Sequence, residues 1–328
     1  MMKAVWIERP GSADMLTFKE VPRPTCGPDE ILIRVEAAGI NRADLLQREG
    51  KYPPPPGASP VLGLEVAGVV ESLGANVTKW RVGDRVMALL SGGGYARYAA
   101  VHQDLVMPVP DGMSPEQAAA IPEAFLTAWQ CLFWIGRLSR GETVLIHAGA
   151  SGVGSAAIQL ANKAGAVPVV TAGSDEKLEF CRKLGAKAAV NRREDAWEER
   201  VLEATGGRGV DVVLDFVGAP YVEKHLKLLG SDGRWVLISL LGGSRPERFP
   251  LAPLLAKRIQ LTATTLRARS LDYRSRLVAD FIDGALPGFK AGELRPVIDS
   301  VFPWEDVRDA HLRMEANLNM GKIVLSVR

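Results

Sequence analysis

From Val144 to Ala157 the chain carries an apolar run followed by small residues, ending in G-x-G-x-x-A at Gly152, Gly154 and Ala157. Small side chains at this spacing let the backbone turn tightly, bring N–H groups close to a pyrophosphate, and let a helix pack against a sheet. A helix beginning there adds favourable partial charge for an anion. Ser151, Gly152, Val153 and Gly154 are the candidate pyrophosphate-binding residues. The letters alone are weak, since a purely structural glycine turn uses them too. Context favours a dinucleotide: a strand-like run at 143–148 precedes the turn and a helix-like run at 152–164 follows it.

A second group of residues bears on which dinucleotide. An NAD site usually keeps Asp or Glu at the tip of its second strand, bonding the ribose 2′-OH. Here that strand runs over 167–171 and continues Ala172-Gly173-Ser174, with no carboxylate at its tip. Gly173 leaves room, Ser174 offers a hydroxyl, and Lys177 stands one turn into the next helix. Arg192 and Arg193 follow the third strand. A 2′-phosphate needs cations and is repelled by a carboxylate. The pattern favours NADPH over NADH. Asp175 argues the other way, and Lys177 and Arg192 are also what a solvated surface would carry.

Metal and thiol chemistry find less support. The four histidines (His102, His147, His225, His311) and three cysteines (Cys26, Cys131, Cys181) show no close ligand spacing. Zinc asks for about four ligands, mostly Cys and His, so no metal site is expected. Three scattered cysteines frame no disulfide core, which suits a reducing compartment. The 40 Lys+Arg against 38 Asp+Glu give a net charge of +2, which argues against a dedicated nucleic-acid binder. Lys3, Glu8 and Arg9 interrupt the apolar start, so no signal-peptide core is read. The uncharged stretch 143–162 has the length of a membrane span, yet it holds His147, Ser151, Ser155, Gln159 and clustered glycines. A soluble, cytoplasmic protein with no nucleic-acid or membrane partner is expected.

These candidates need a scaffold, and 328 residues suggest about two domains. The first third reads as short strands broken by Gly and Pro, at 31–37, 66–73 and 85–90. Tyr52 opens a run of four prolines, which excludes helix and central strand and makes a rigid loop. After about Ala124 the character changes. Strands are expected at 143–148, 167–171, 188–190, 210–215, 235–239 and 259–263, with helices between them. Ser174 can cap the second helix, and Gly185 can end it. Strand alternating with helix predicts a parallel sheet covered on both faces. Helices at about 273–284 and 304–317 and a strand at 322–327 close the chain.

Taken as a set, the segment Ala38-Gly39-Ile40-Asn41-Arg42-Ala43-Asp44, the Tyr52-Pro loop, Gly63-Leu64-Glu65-Val66-Ala67-Gly68, Gly83-Asp84-Arg85-Val86 and the glycine turn resemble the medium-chain dehydrogenase/reductase superfamily. More narrowly, the chain is similar to the zinc-free, zeta-crystallin-like NADPH:quinone oxidoreductases. The stretches 147–154, 232–236 and 314–324 resemble their tumour-suppressor-inducible branch. The resemblance runs from residue 3 to about 327. It implies an α/β protein: a Rossmann doubly wound parallel sheet at 126–265, plus a GroES-like β-barrel catalytic domain split between 1–125 and 266–328. Zinc-dependent relatives place Cys at the position of Asn41 and His at that of Leu64. Of that constellation only Glu65 remains.

Without a metal Lewis acid, the chemistry implied is reduction of an electron-poor acceptor by hydride from NADPH, with the protein orienting the reactants and excluding water. By resemblance, Asn41, Asp44, Tyr52 and Thr127 line the nicotinamide end as catalytic residues. Asn41 and Thr127 can bond the carboxamide or the acceptor oxygen. Tyr52 can stack, donate to that oxygen, or pack on its own proline loop. Asp44 can instead cap a helix over 43–49. Val217, Leu241, Gly242, Thr265 and Leu266 fall to the cofactor, as do Asn317 and Lys322 from the C-terminal segment. No dedicated general acid is identified. The acceptor implied is a quinone or another electron-poor carbonyl. Competing readings are a reductase of α,β-unsaturated carbonyls or enoyl thioesters, and an NADPH-binding structural or RNA-binding protein. The run 259–263 would be an unprotected sheet edge, and with the resemblance it implies a homodimer.

Overall fold

Six strands of the middle of the chain lie parallel, in the order Ala188–Asn191, Val167–Ala172, Thr143–Ile146, Val210–Asp215, Leu229–Leu237 and Gln260–Ala263. Numbered along the chain this is 3-2-1-4-5-6, the doubly wound order. The computed structural model describes residues 1–327. It divides into two compact units, one of Met1–Leu126 with the segment from Leu266 onward, the other Thr127–Thr265.

In the middle unit the inner strands Val167–Ala172, Thr143–Ile146 and Val210–Asp215 are buried because they are largely apolar on both faces. Leu145, Val169, Val213 and Trp235 share one core cluster with Trp197, Val201 and Leu226 from the helices. The helix Gly152–Lys163 buries Gly154, Ala156, Ala157 and Ala161, small residues that allow close approach to the sheet, together with the larger Leu160. Ser151 caps it, accepting from the Gly154 N–H at 3.0 Å. Ser174 caps the helix Asp175–Lys183 in the same way. The fifth strand departs from the sequence expectation of 235–239. It begins at Leu229 and ends at Leu237, because its neighbour Val210–Asp215 ends there, opposite Leu237.

The other unit is built on a seven-stranded sheet. Glu30–Ile40 is its long central strand. Along one side it pairs with Glu65–Leu73; along the other its first half pairs with Tyr98–His102 and its second half with Lys322–Ser326. Ile323 stands opposite Ile40, so the next residues, Lys322 and Asn41, become neighbours although 281 positions separate them. The helix expected over 304–317 is a 3₁₀ turn, Trp304–Asp306, followed by Val307–Glu315. Trp304 is fully buried against Phe18 and fixes that break. The hairpin of Met2–Ile7 and Leu16–Val21 went unread in the sequence.

Candidate functional site

The glycine turn sits at the topological switch point, after the first strand and beside the fourth, where ligands bind in such sheets. Ala148 takes a positive φ of 50° to leave the strand. At Gly154 the backbone comes so close to the turn that an added Cβ would collide with the carbonyl oxygens of Ala148 and Gly149. The 12-residue helix Gly152–Lys163 starts here behind its serine cap. This is a cradle of backbone N–H groups that fits a pyrophosphate. Across the switch point, Asp215 fixes the loop carrying Val217. Its Oδ1 accepts from the N–H groups of Val217 (2.7 Å) and Gly218 (3.0 Å), and its Oδ2 from Trp235 Nε1 (3.0 Å).

At the second strand's tip, Gly173 is roofed by the Arg192 guanidinium, whose Nε would lie 3.3 Å from a Cβ added there. Arg192 is tied to Ala172 O through its backbone N–H, at 2.9 Å. Its side chain hydrogen-bonds the hydroxyl of the buried Tyr221. Ser174 and Lys177 stand at the start of the adjoining helix. A fixed cation, a hydroxyl and no carboxylate at the tip suit a 2′-phosphate. Behind them the fold joins two histidines that sequence spacing left unrelated. His147 Nδ1 lies 2.7 Å from Thr171 Oγ1, and its Nε2 2.8 Å from His225 Nε2. Burial pushes both rings down, His225 to about 3, so the pair is neutral and packs the core.

In the other unit, Asn41, Asp44, Glu65 and Lys322 form one bonded cluster. Asp44, 1% exposed, accepts from Asn41 N (2.8 Å), Tyr95 Oη (3.0 Å) and Gly63 N (3.2 Å). Burial raises its carboxyl to about 6. Glu65 is fully buried, in space that Gly39 leaves by lacking a side chain. Its Oε1 takes the Asn41 amide at 2.9 Å and the Lys322 ammonium at 2.6 Å. Its Oε2 takes the Glu123 N–H at 2.8 Å. Lys322 also donates to Ile40 O (2.8 Å) and Asn41 Oδ1 (2.7 Å).

Lys322, expected at the cofactor, is engaged within its own unit. It is 4% exposed, and its three donors already have partners inside the unit. The reason is electrostatic: buried Glu65 requires a counter-charge. Asp44 likewise holds the start of the helix Arg42–Arg48 and the Gly63 turn, with its oxygens bonded and buried. Tyr52 is half-buried, its ring 5.4 Å from the Arg267 guanidinium. Asn317 is exposed and accepts from Arg42 at 2.8 Å. Thr127 and Leu266 are buried, while Leu241, Gly242 and Thr265 are exposed.

Sequence reasoning missed Tyr95, Asp215, Tyr221, Glu123 and the Arg267 side chain. Glu123 begins the helix Pro122–Trp129 and stays partly accessible. Burial, then the charge of Glu65, pushes its carboxyl up to about 8. Only a lone carboxylate in an apolar stretch signalled it. The residues do not fit zinc: among those described, no three His, Cys, Asp or Glu side chains gather as ligands. A lysine ammonium lies against Asn41 and Glu65 instead.

Two family models match the chain, the alcohol dehydrogenase GroES-like domain over residues 27–111 and the zinc-binding dehydrogenase over 152–283. A phenolphthiocerol/phthiocerol polyketide synthase of Mycobacterium tuberculosis is 35% identical over 321 residues, covering 98% of this chain. The chain spans only 14% of that relative's length. Among the solved structures similar over 100% of the chain are the following. A mycobacterial protein in complex with NADPH has 30% identity and a TM-score of 0.88, with all of its chain covered. A mycobacterial quinone oxidoreductase has 32% identity and a TM-score of 0.85, also fully covered. The CurK enoyl reductase has 30% identity and a TM-score of 0.88, with 99% covered.

Proposed function

We propose that this chain, which belongs to the medium-chain dehydrogenase/reductase superfamily, is an NADPH-dependent, metal-independent reductase of quinones, of the zeta-crystallin-like branch. The observation that carries the metal-free reading is Lys322. Its ammonium supplies Glu65 and Asn41 with a fixed cation, at 2.6 and 2.7 Å, where zinc chemistry would ask for ligands. A site without a Lewis acid cannot readily activate an alcohol for oxidation, whereas an electron-poor acceptor needs no such activation. Preference for NADPH rests on the Arg192 guanidinium over Gly173 and on the missing carboxylate.

When bound, the reduced nicotinamide supplies the hydride. The chain's own residues then hold and orient. The N–H groups of the turn after Ser151 hold the pyrophosphate. Arg192, Ser174 and Lys177 hold the 2′-phosphate, and the loop fixed by Asp215 presents Val217. Asn41, locked by Glu65 and Lys322, keeps its amide in one orientation as a positioning group for the reacting end. Tyr52, beside Arg267, offers a ring and a hydroxyl to a flat acceptor.

A second reading, reduction of α,β-unsaturated carbonyls or enoyl thioesters, has support in the likeness to an enoyl reductase and to a polyketide synthase. Following NADPH oxidation with quinones, enals and enoyl thioesters side by side separates the two. Turnover of quinones well above the others supports the first. Preference for the thioester overturns it.

A further inference from the structure

The polar cluster around Asn41 holds three carboxyl groups, and two are fully engaged. Asp44 and Glu65 are buried, and each of their oxygens has a partner. Glu123 differs. Its backbone N–H anchors it to Glu65 at 2.8 Å, its side chain is partly accessible, and its carboxyl oxygens make no hydrogen bond among the described residues. A second unused group stands in the same cluster. Arg267 is 4% exposed; its Nε donates to Ser91 O and its Nη2 to Gln47 Oε1, both at 2.8 Å. Its Nη1 has no partner among the described residues. A buried donor without an acceptor is costly and calls for a ligand oxygen.

Titratable groups surround Glu123: Asp44 on the first helix, Glu65 on its strand, Lys322 on the last strand, Arg267 on its loop, the neutral phenol of Tyr52 beside the prolines and Arg274 on the helix Leu271–Gly284. Burial and the Glu65 charge outweigh the cations, so the acid keeps its proton to about pH 8. A carboxylic acid that is neutral at working pH and partly open is what proton donation requires.

We propose that Glu123 is the proton donor of the reduction, with the Arg267 Nη1 as a second donor to the acceptor oxygen. This rests on the reductase reading above. Hydride brings the electron pair to the acceptor and leaves negative charge on its oxygen. The O–H bond of Glu123 breaks as an O–H bond forms on that oxygen, and water restores the Glu123 proton. For a quinone the sum is one hydride and one proton, giving the hydroquinone.

The substitution Glu123→Gln keeps the shape and removes the acidic proton. In the wild type, kcat with a quinone should fall above an apparent pKa near 8. In E123Q that limb should vanish, and kcat near neutral pH should drop by about 10²–10⁴-fold, with NADPH affinity by fluorescence titration unchanged. Carboxyl ¹³C NMR of the ligand-free protein reads the proton directly. One glutamate should titrate near pH 8 and be missing from E123Q. Titration of Glu123 at the ordinary value of 4.5, or an E123Q enzyme with full kcat and an unchanged pH profile, overturns the proposal while leaving the reductase reading intact. A wild type that reduces no acceptor with NADPH overturns that reading and the proposal with it.

Discussion

Asp44 and Arg192 show how one side chain can be judged by its partners. Asp44 has three hydrogen bonds, yet burial outweighs them and raises its carboxyl to about 6 from 3.8. A folded-state pKa above the unfolded one means the native protein binds the extra proton. The associated stability is full below about pH 4 and is lost as pH rises through 6. The window is worth about 3 kcal/mol at most, from roughly two pKa units. Relative to wild type, Asp44→Asn should therefore gain stability between about pH 4 and 7. Urea denaturation of both proteins across that range checks the sign, and a pH-independent difference contradicts it. For Arg192, removal of one charged partner costs about 1.5–3 kcal/mol. Arg192→Ala should weaken NADPH binding about 10–100-fold and NADH binding far less. Isothermal titration with both cofactors decides, and equal weakening removes the 2′-phosphate reading.

Among elements, the strand–turn–helix from Thr143 to Lys163 carries the most chemistry. Its first strand lies between two others, its turn passes through the left-handed Ala148, and its helix starts against the turn's own carbonyls. Gly154→Ala places a Cβ against Ala148 O and Gly149 O, which are backbone atoms with little freedom to yield. Overpacking of this kind costs about 1–3 kcal/mol. The variant should melt several degrees lower and bind NADPH at least tenfold more weakly, as scanning calorimetry and fluorescence titration would read. Normal affinity would show that the turn does not carry the pyrophosphate. At the far end of the same sheet, Gln260–Ala263 is an edge strand with its side chains exposed. The preceding helix, Leu251–Ala256, buries none of its residues.

That edge bears on the molecule as a whole. Leu240, Leu241, Phe249, Leu251 and Leu255 before the edge and Leu261 within it are all exposed, and apolar surface concentrated in this way favours association. We propose a two-fold homodimer through this edge, in which the two last strands pair. Sedimentation should give twice the 35.4 kDa chain mass at micromolar concentration. Leu255, 80% exposed, contributes nothing to the monomer's core, so Leu255→Asp should yield monomers with unchanged circular dichroism. A wild type that sediments as a monomer at every concentration removes the proposal.

The glycine turn, the Ser174 cap, most strands of the parallel sheet and the gap where an NAD-binding carboxylate would stand were legible in the residues themselves. Each is a local matter: a tight turn, a cap and a strand's apolar run depend on a few successive side chains, and their constraints are written in consecutive letters. The charge state and partners of the polar groups were not. Lys322 meets Asn41 only because the last strand pairs with the end of Glu30–Ile40, and His147 meets His225 across 78 residues of chain. Lys322 was expected at the cofactor, and only strand pairing brings it to Glu65; Glu123 drew no reading at all, and only burial beside Glu65 raises its carboxyl. Desolvation and Coulomb interaction act through space between groups that only the tertiary fold brings together, so they decide what a titratable residue can do, and no local pattern records them.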